Sequence, residues 1–487
     1  MAFGRSKRAR VSIASYRAWP AAVAALGLTL AFPSAFAQDS VLVASRAAEA
    51  AKDTPPVAGG AALSAADGGA MGGLSQWSQE SDADPLAAQL LRFANDGDRP
   101  PAAANADDQQ VAQATGVPAA SDKELAFGMI APFTGSAKAL GAQMKIGVET
   151  AFGAANDSGA LGRTLKLVTA DDAYDPVKSL AALKDLRDRA PIAGLIGDVG
   201  TPTAAAVLPY VLDNHLLFYG AFTGAGLLRN VPPDRYVFNY RASYAEETDA
   251  VVRYLVKVRR IRLDQIVVFA QQDGFGDAGY AGVAKAYRAL GDNADPPQRL
   301  DYVRNTVDVQ AAIDALRKRK APPKAVVMVA TYRAAAKFIE KTREQYPDMI
   351  YTNVSFVGST ALSDELTLLG PKFAAGVVVT QVVPAPDGFS SLALEYKKAL
   401  GKYFPSERPD YVSFEGYIDA KILAEAIKRA GPGATVEKLV DSLEGIRDLD
   451  IGLGAPIAFG PAEHQGSHKI WGTELQADGK FAPIDLQ

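Results

Sequence analysis

Two short loops hold the residue types best suited to gripping a small anion. The first reads Ile196-Gly197-Asp198-Val199-Gly200-Thr201-Pro202-Thr203 and ends in a hydroxyl residue followed by proline. That order opens a helix, with Thr201 as a plausible N-cap and Pro202 in the first turn. Unpaired N–H groups and the positive end of such a helix favour a carboxylate or similar anion, and Gly200 lets it come close to the backbone. The second loop, Tyr219-Gly220-Ala221-Phe222-Thr223-Gly224-Ala225-Gly226, can present backbone groups and the Thr223 hydroxyl to a polar guest. Local sequence leaves plainer readings open at both places: Thr201 as a helix cap and nothing more, and the second stretch as an ordinary surface loop.

Other groupings of reactive residues are poorer matches to any chemistry. Asp171, Asp172 and Asp175 lie close together but lack the spacing and oxygen count of a calcium loop, and they read as a turn followed by a helix cap. His464 and His468 stand four apart without the HExxH setting of a zinc site, and His215 is remote from both. No GxSxG elbow, P-loop or strand-following GxGxxG is present, so catalysis is not expected, nor is a cofactor. With no cysteine in the chain, disulfides, a thiol nucleophile and cysteine-zinc sites are excluded.

The elements that position the two loops follow from hydrophobic pattern. Apolar runs at Leu125–Ile130, Leu165–Ala170, Ile192–Ile196 and Leu216–Tyr219 alternate with helical stretches. Met144, Val148, Ala151, Phe152 and Ala155 recur at helical spacing, and Asp175-Pro176 repeats the helix-opening signal. The alternation restarts with strands at Ile266–Ala270, Arg299–Val303, Ala325–Val329, Ser355–Val357 and Val377–Val382. Helices are expected between them over 277–290, 309–318 and 334–346. Two such units predict an α/β protein of two doubly wound, parallel-sheet lobes. Helices at 390–400, 417–430 and 436–443 are expected to return and complete the first lobe.

The N-terminal part differs in kind. Arg5, Lys7, Arg8, Arg10 and Arg17 precede an apolar run near 18–32 that ends in Ala35-Phe36-Ala37, the layout of a secretory signal peptide cleaved after Ala37. Residues 38–122, rich in Ala, Gly, Asp, Pro and Ser, are expected to be a disordered extension. The formal charge of −4 includes the five basic leader residues, so the chain beyond them stands near −9. A secreted acidic chain without a basic patch is not expected to partner nucleic acid or anionic lipid.

The segment Gly128–Gly159, the turn Thr169–Pro176 and the loop Gly197–Thr203 resemble the branched-chain amino-acid-binding protein family, type I periplasmic solute receptors of ABC importers. Gln272-Asp273-Gly274-Phe275-Gly276, Phe356-Val357-Gly358-Ser359 and His464-Gln465-Gly466-Ser467-His468 extend the resemblance from about Lys123 onward. It implies a three-stranded hinge, with one lobe formed by 123–243 and 383–468 and the other by 244–382 and 469–487. It also implies a ligand carboxylate held by Thr201, Ala221 and Thr223, with Phe275, Tyr332, Ser359 and Thr360 facing it from the second lobe.

In one respect the chain departs from the family. The loop Gly358-Ser359-Thr360-Ala361 lacks the acid that amino-acid-binding members direct at the ligand ammonium, which weakens the case for an α-amino acid over another small polar solute. Arg333 could add positive charge from the second lobe. The expected protein is a periplasmic, monomeric solute receptor docking on an inner-membrane permease. A sensor for a membrane receptor is the alternative, and an enzyme on the same scaffold the third reading.

Overall fold

The computed structural model describes residues 123–291 and 295–487. The expected leader with cleavage after Ala37, and the expected extension 38–122, lie outside the described residues.

The first sheet is built from β1 (Glu124–Ala131), β2 (Thr164–Asp171), β3 (Ile192–Ile196), β4 (Leu217–Tyr219) and β5 (Val237–Phe238), all parallel and ordered β2-β1-β3-β4-β5. β1 is buried along nearly its whole length, as a parallel strand covered on both faces must be. Its connections run through α1 (Lys138–Ser158), α2 (Pro176–Arg189) and α3 (Thr201–Asp213). α2 starts as its sequence dictates, with the Asp175 carboxylate accepting from the Val177 N–H and proline at the first position. Strand order reverses between β1 and β3, the place in a doubly wound sheet beyond whose carboxyl ends ligands generally bind.

The chain then passes to α4 (Tyr244–Arg253), which carries a reciprocal cap between Ser243 and Glu246. The second sheet follows, with β6 (Ile266–Gln271), β7 (Gln298–Tyr302), β8 (Ala325–Val329), β9 (Ile350–Asn353) and β10 (Val377–Gln381). Between and after them come α5 (Gly274–Leu290), α6 (Gln310–Arg317), α7 (Tyr332–Thr342), α8 (Ser359–Leu369) and the short α9 (Pro371–Ala374). A second passage leads to α10 (Ser391–Tyr403), α11 (Tyr411–Ala430) and α12 (Val436–Glu444), and a third to β11 (Trp471–Leu475) and β12 (Phe481–Ile484). The second sheet is ordered β12-β11-β10-β9-β8-β6-β7, parallel except at one edge, where β11 pairs antiparallel with both β10 and β12. The doubly wound reading therefore holds, and the two antiparallel strands are an addition to it.

Two expected elements moved. Ser355–Val357 is a 3-10 turn and not a strand; the strand is β9, whose Thr352 and Asn353 hide its apolar pattern. Both are buried and bonded, Thr352 Oγ1 to the Val326 carbonyl at 3.1 Å and Asn353 Nδ2 to the Ala330 carbonyl at 3.2 Å. α11 begins at Tyr411 instead of Tyr417, because Asp410 caps it through the N–H groups of Val412 and Ser413. α11 lies against α1 so closely that a Cβ on Gly147 would stand 2.0 Å from the Ser413 carbonyl oxygen. The two bodies meet face to face: Asn305 Nδ2 donates to the carbonyls of Ala173 and Tyr174, both at 3.2 Å, and Gln271 Nε2 to the Tyr174 hydroxyl at 3.2 Å.

Candidate functional site

Thr201 and Thr223 come together at the mouth of the β3 and β4 loops. Their hydroxyls share a 2.7 Å hydrogen bond, and both residues are fully buried. Thr201 does not cap α3: Gly200 occupies the cap position at φ +114, and no side chain bonds the first turn. That corrects the N-cap expectation and removes the plainer explanation of the hydroxyl. The positive φ suits glycine, and a Cβ there would strike the Tyr174 ring at 2.3 Å. Gly274 of the second body sits directly opposite, its Cβ position 3.7 Å from the Thr201 methyl.

The nearby groups are already engaged. The Thr223 N–H donates to the Ala221 carbonyl at 2.7 Å, its hydroxyl accepts from the Ala225 N–H at 3.3 Å, and its carbonyl accepts from Arg229 at 3.3 Å. The Ala221 side chain packs into the apolar core under the first sheet. Asp198, buried behind the loop, accepts from the Ile130 N–H at 2.8 Å, and burial pushes its carboxyl well above the usual range.

Across the crevice, aromatic rings from both bodies interlock. Phe356 stacks on Phe222 at 5.2 Å and lies 4.5 Å from Phe275, with Tyr174 at 6.2 Å and Tyr244 at 6.4 Å. Such packing supplies apolar contact and excludes water. Phe222, Ser355, Gln381, Tyr411, Val412 and Glu415 line a narrow crevice without room for a free water-sized sphere.

A charged cluster forms the floor. Arg241 is buried, its guanidinium 4.9 Å from the Phe222 ring centre. It pairs with Glu247 at 3.2 Å and Glu415 at 3.4 Å and bonds the Ser355 hydroxyl. Glu247 is well supplied with donors: the Ser355 N–H at 2.8 Å, the Ser355 hydroxyl at 3.0 Å and the Thr380 hydroxyl at 2.5 Å. Glu415 has no such company, and burial pushes its carboxyl up to about 7. One turn further along α11, both oxygens of Asp419 are buried without a hydrogen-bond partner among the described residues, and its carboxyl is pushed well up by burial and then by Glu415.

The remaining expected site residues divide. Phe275 belongs to the aromatic cluster. Tyr332 opens α7, buried, with the Arg333 guanidinium 5.8 Å from its ring centre. The Ser359 hydroxyl turns to Gln381, accepting from its Nε2 at 2.8 Å, and the Thr360 hydroxyl turns to Asp410. Arg333 does not add charge to the crevice, because it pairs with Glu365 at 3.4 Å near the surface. Asp171 accepts from the N–H groups of Phe133, Thr134 and Ala173, which makes the acidic turn a structural device. His464 stacks on Phe238 at 3.8 Å, and His468 bonds Glu246 at 2.7 Å, holding that carboxyl down to about 2 against the opposing effect of burial.

Sequence reasoning passed over Tyr174, Phe222, Tyr244 and Phe356 as site residues, although three of them lie in the motifs quoted above. Arg241 sits on an irregular stretch with no periodicity to mark it. Glu415 had one usable signal. A helix started at the Asp410 cap places Glu415 and Asp419 on a segment that is buried on every side.

Residues 124–480 match the family described as periplasmic binding protein. A Leu/Ile/Val-binding protein of Rhizobium johnstonii is 23% identical over 339 residues, covering 68% of this chain and 86% of its own length. The crystal structure of a possible leucine/isoleucine/valine-binding protein from Rhodopirellula baltica superposes with a TM-score of 0.71 at 37% identity, covering 77% of this chain and 98% of that one. A branched-chain amino acid ABC transporter structure from Thermus thermophilus, with valine bound, shares the fold at a TM-score of 0.64 and 20% identity, covering 74% and 96%.

Proposed function

Because the chain belongs to the periplasmic binding protein family, we propose that it is the solute receptor of an ABC importer, capturing a small polar molecule between its two bodies. The observation that carries this reading is the meeting of Thr201 and Thr223 beyond the carboxyl ends of β3 and β4 in the first sheet, opposite Gly274 of the second. The two hydroxyls share a single hydrogen bond, which leaves one O–H free to donate to a carboxylate or amide.

The aromatic cluster acts as the latch. Phe356 of the second body packs on Phe222 of the first, so closing buries apolar surface and drives water from the polar groups. In this reading the chain is exported to the periplasm, the leader is removed after Ala37, and the closed receptor is handed to a permease. Small branched amino acids head the candidate solutes, since the valine-bound neighbour shares this fold.

The test is a thermal-shift panel of branched amino acids, short carboxylates and amides. A solute that binds only the folded state at a hundredfold excess over its Kd adds about 2.7 kcal/mol of stability. A panel in which nothing raises the melting temperature would falsify the proposal for these solute classes.

A further inference from the structure

A groove of about 530 Å³ runs between the C-terminal half of α1, α11 and the loop 449–451. Its apolar lining, with Ala155, Leu161, Ala424, Leu449 and Ile451, packs on the core beneath and is only part buried. The polar lining is already engaged. The Tyr417 hydroxyl and Lys421 Nζ both donate to Glu395, at 2.8 and 2.6 Å. Arg429 holds Glu425 at 2.9 Å, and Asp450 accepts from the Gly452 N–H at 2.8 Å. A small ligand takes its orientation from convergent polar groups with bonds to spare, and this groove offers apolar surface in their place. A contiguous patch of that kind is covered by protein. Three acids, Glu395, Glu425 and Asp450, stand against two lysines, Lys421 and Lys428, so the lining is acidic by one charge.

The described chain begins beside this groove. The Lys123 carbonyl accepts from the Thr164 N–H at 2.8 Å, and Leu161 of the groove lies three residues before Thr164. Upstream, Asp84-Pro85 repeats the helix-opening pair of Asp175-Pro176. Leu86, Leu90 and Phe93 follow at the spacing of one helical face, and Asn95-Asp96-Gly97 closes the run. Within 86–93 the single charged residue is Arg92, opposite in sign to the lining. Residues 94–122 connect this segment to Lys123, and 29 residues drawn out reach on the order of 95 Å.

We infer that residues 86–93 dock in this groove as an amphipathic helix, with Leu86, Leu90 and Phe93 covering its apolar lining. The tether favours this occupant over a second copy of the chain. A segment joined by a linker of this length is presented at an effective concentration near the millimolar range, so a modest apolar contact suffices. The upstream extension is thereby fastened to the first body at α1 and α11.

The absence of cysteine makes disulfide trapping in the full chain a clean test. Gln89→Cys flanks the apolar face without removing it, and Ala155→Cys lies in the groove. The control pairs Gln89→Cys with Asp188→Cys, exposed near the end of α2 on the other face of the first sheet. Under mild oxidation the groove pair is expected to close within one chain at least about tenfold faster than the control, and Leu90→Asp to bring it down to the control rate. Equal rates for the two pairs overturn the inference, as does a groove rate that Leu90→Asp leaves unmoved. Disulfide-linked dimers in place of internal crosslinks give the groove to a second copy and overturn it too. In the cysteine-free chain, Leu90→Asp is expected to raise hydrogen exchange several-fold across Gly159–Leu161. Exchange there that does not change counts against docking. None of these outcomes bears on the solute receptor reading.

Discussion

Glu247 and Glu415 approach one guanidinium from different helices, and their surroundings differ sharply. On the α4 side, Ser355 and Thr380 of the second body complete the carboxylate, so the Arg241–Glu247 pair ties the two bodies together whether or not a solute is present. On the α11 side, Glu415 has the ion pair with Arg241 at 3.4 Å and, among the described residues, no hydrogen bond. A buried charge that is fully hydrogen-bonded belongs to the frame, while one that is not adds little to it.

Breaking the frame side is expected to have the largest effect. Glu247→Ala leaves Arg241 buried beside an uncompensated gap and strips the Ser355 N–H of its acceptor. A loss of about 3–5 kcal/mol in urea unfolding is expected. A loss below about 1 kcal/mol would show that water reaches the cluster and that Glu247 is no part of the frame. Next in size is Thr223→Ala, expected to weaken solute binding by about 1–3 kcal/mol in calorimetry with little change in stability. Unchanged affinity removes Thr223 from the grip.

The α11 side is sharpened by pH. Folded Glu415 keeps its proton up to about 7, whereas an unfolded glutamate releases it near the ordinary value of 4.5, so the folded state binds more protons in that window. Stability of the solute-free protein is therefore expected to decline as pH rises from about 4.5 to about 7, and Glu415→Gln to flatten the decline. A slope that persists in the variant shifts the cause to Asp172, which burial raises to about 6. The smallest effect is expected at Thr360. Its hydroxyl faces Asp410, so Thr360→Val should change solute affinity by less than about 0.5 kcal/mol.

The sheets were largely legible in the sequence, since parallel strands such as β1, β6 and β8 are uninterrupted apolar runs. β9 was not, because Thr352 and Asn353 break its run and are satisfied only by contacts distant in sequence. At the site, loop position and glycine spacing pointed to Thr201 and Thr223, and the family resemblance to Phe275; the two hydroxyls meet and Phe275 joins the aromatic cluster. The charged floor had no such signal. Arg241 lies on a passage between the bodies, and Glu415 becomes a buried acid only when α11 packs against α1 and the second body. Residues whose meaning depends on which surfaces they are pressed between leave no periodic trace.

The antiparallel edge of the second sheet has a consequence for biogenesis. Val377–Gln381 carries no charged residue, and its outer side is covered only when Trp471–Leu475 pairs with it, after three helices of the other body have been made. A nascent or translocating chain that has emerged only as far as Glu444 thus displays a bare, sticky β-edge able to template aggregation. Holding that ribbon apart until its partner arrives is a task for a chaperone.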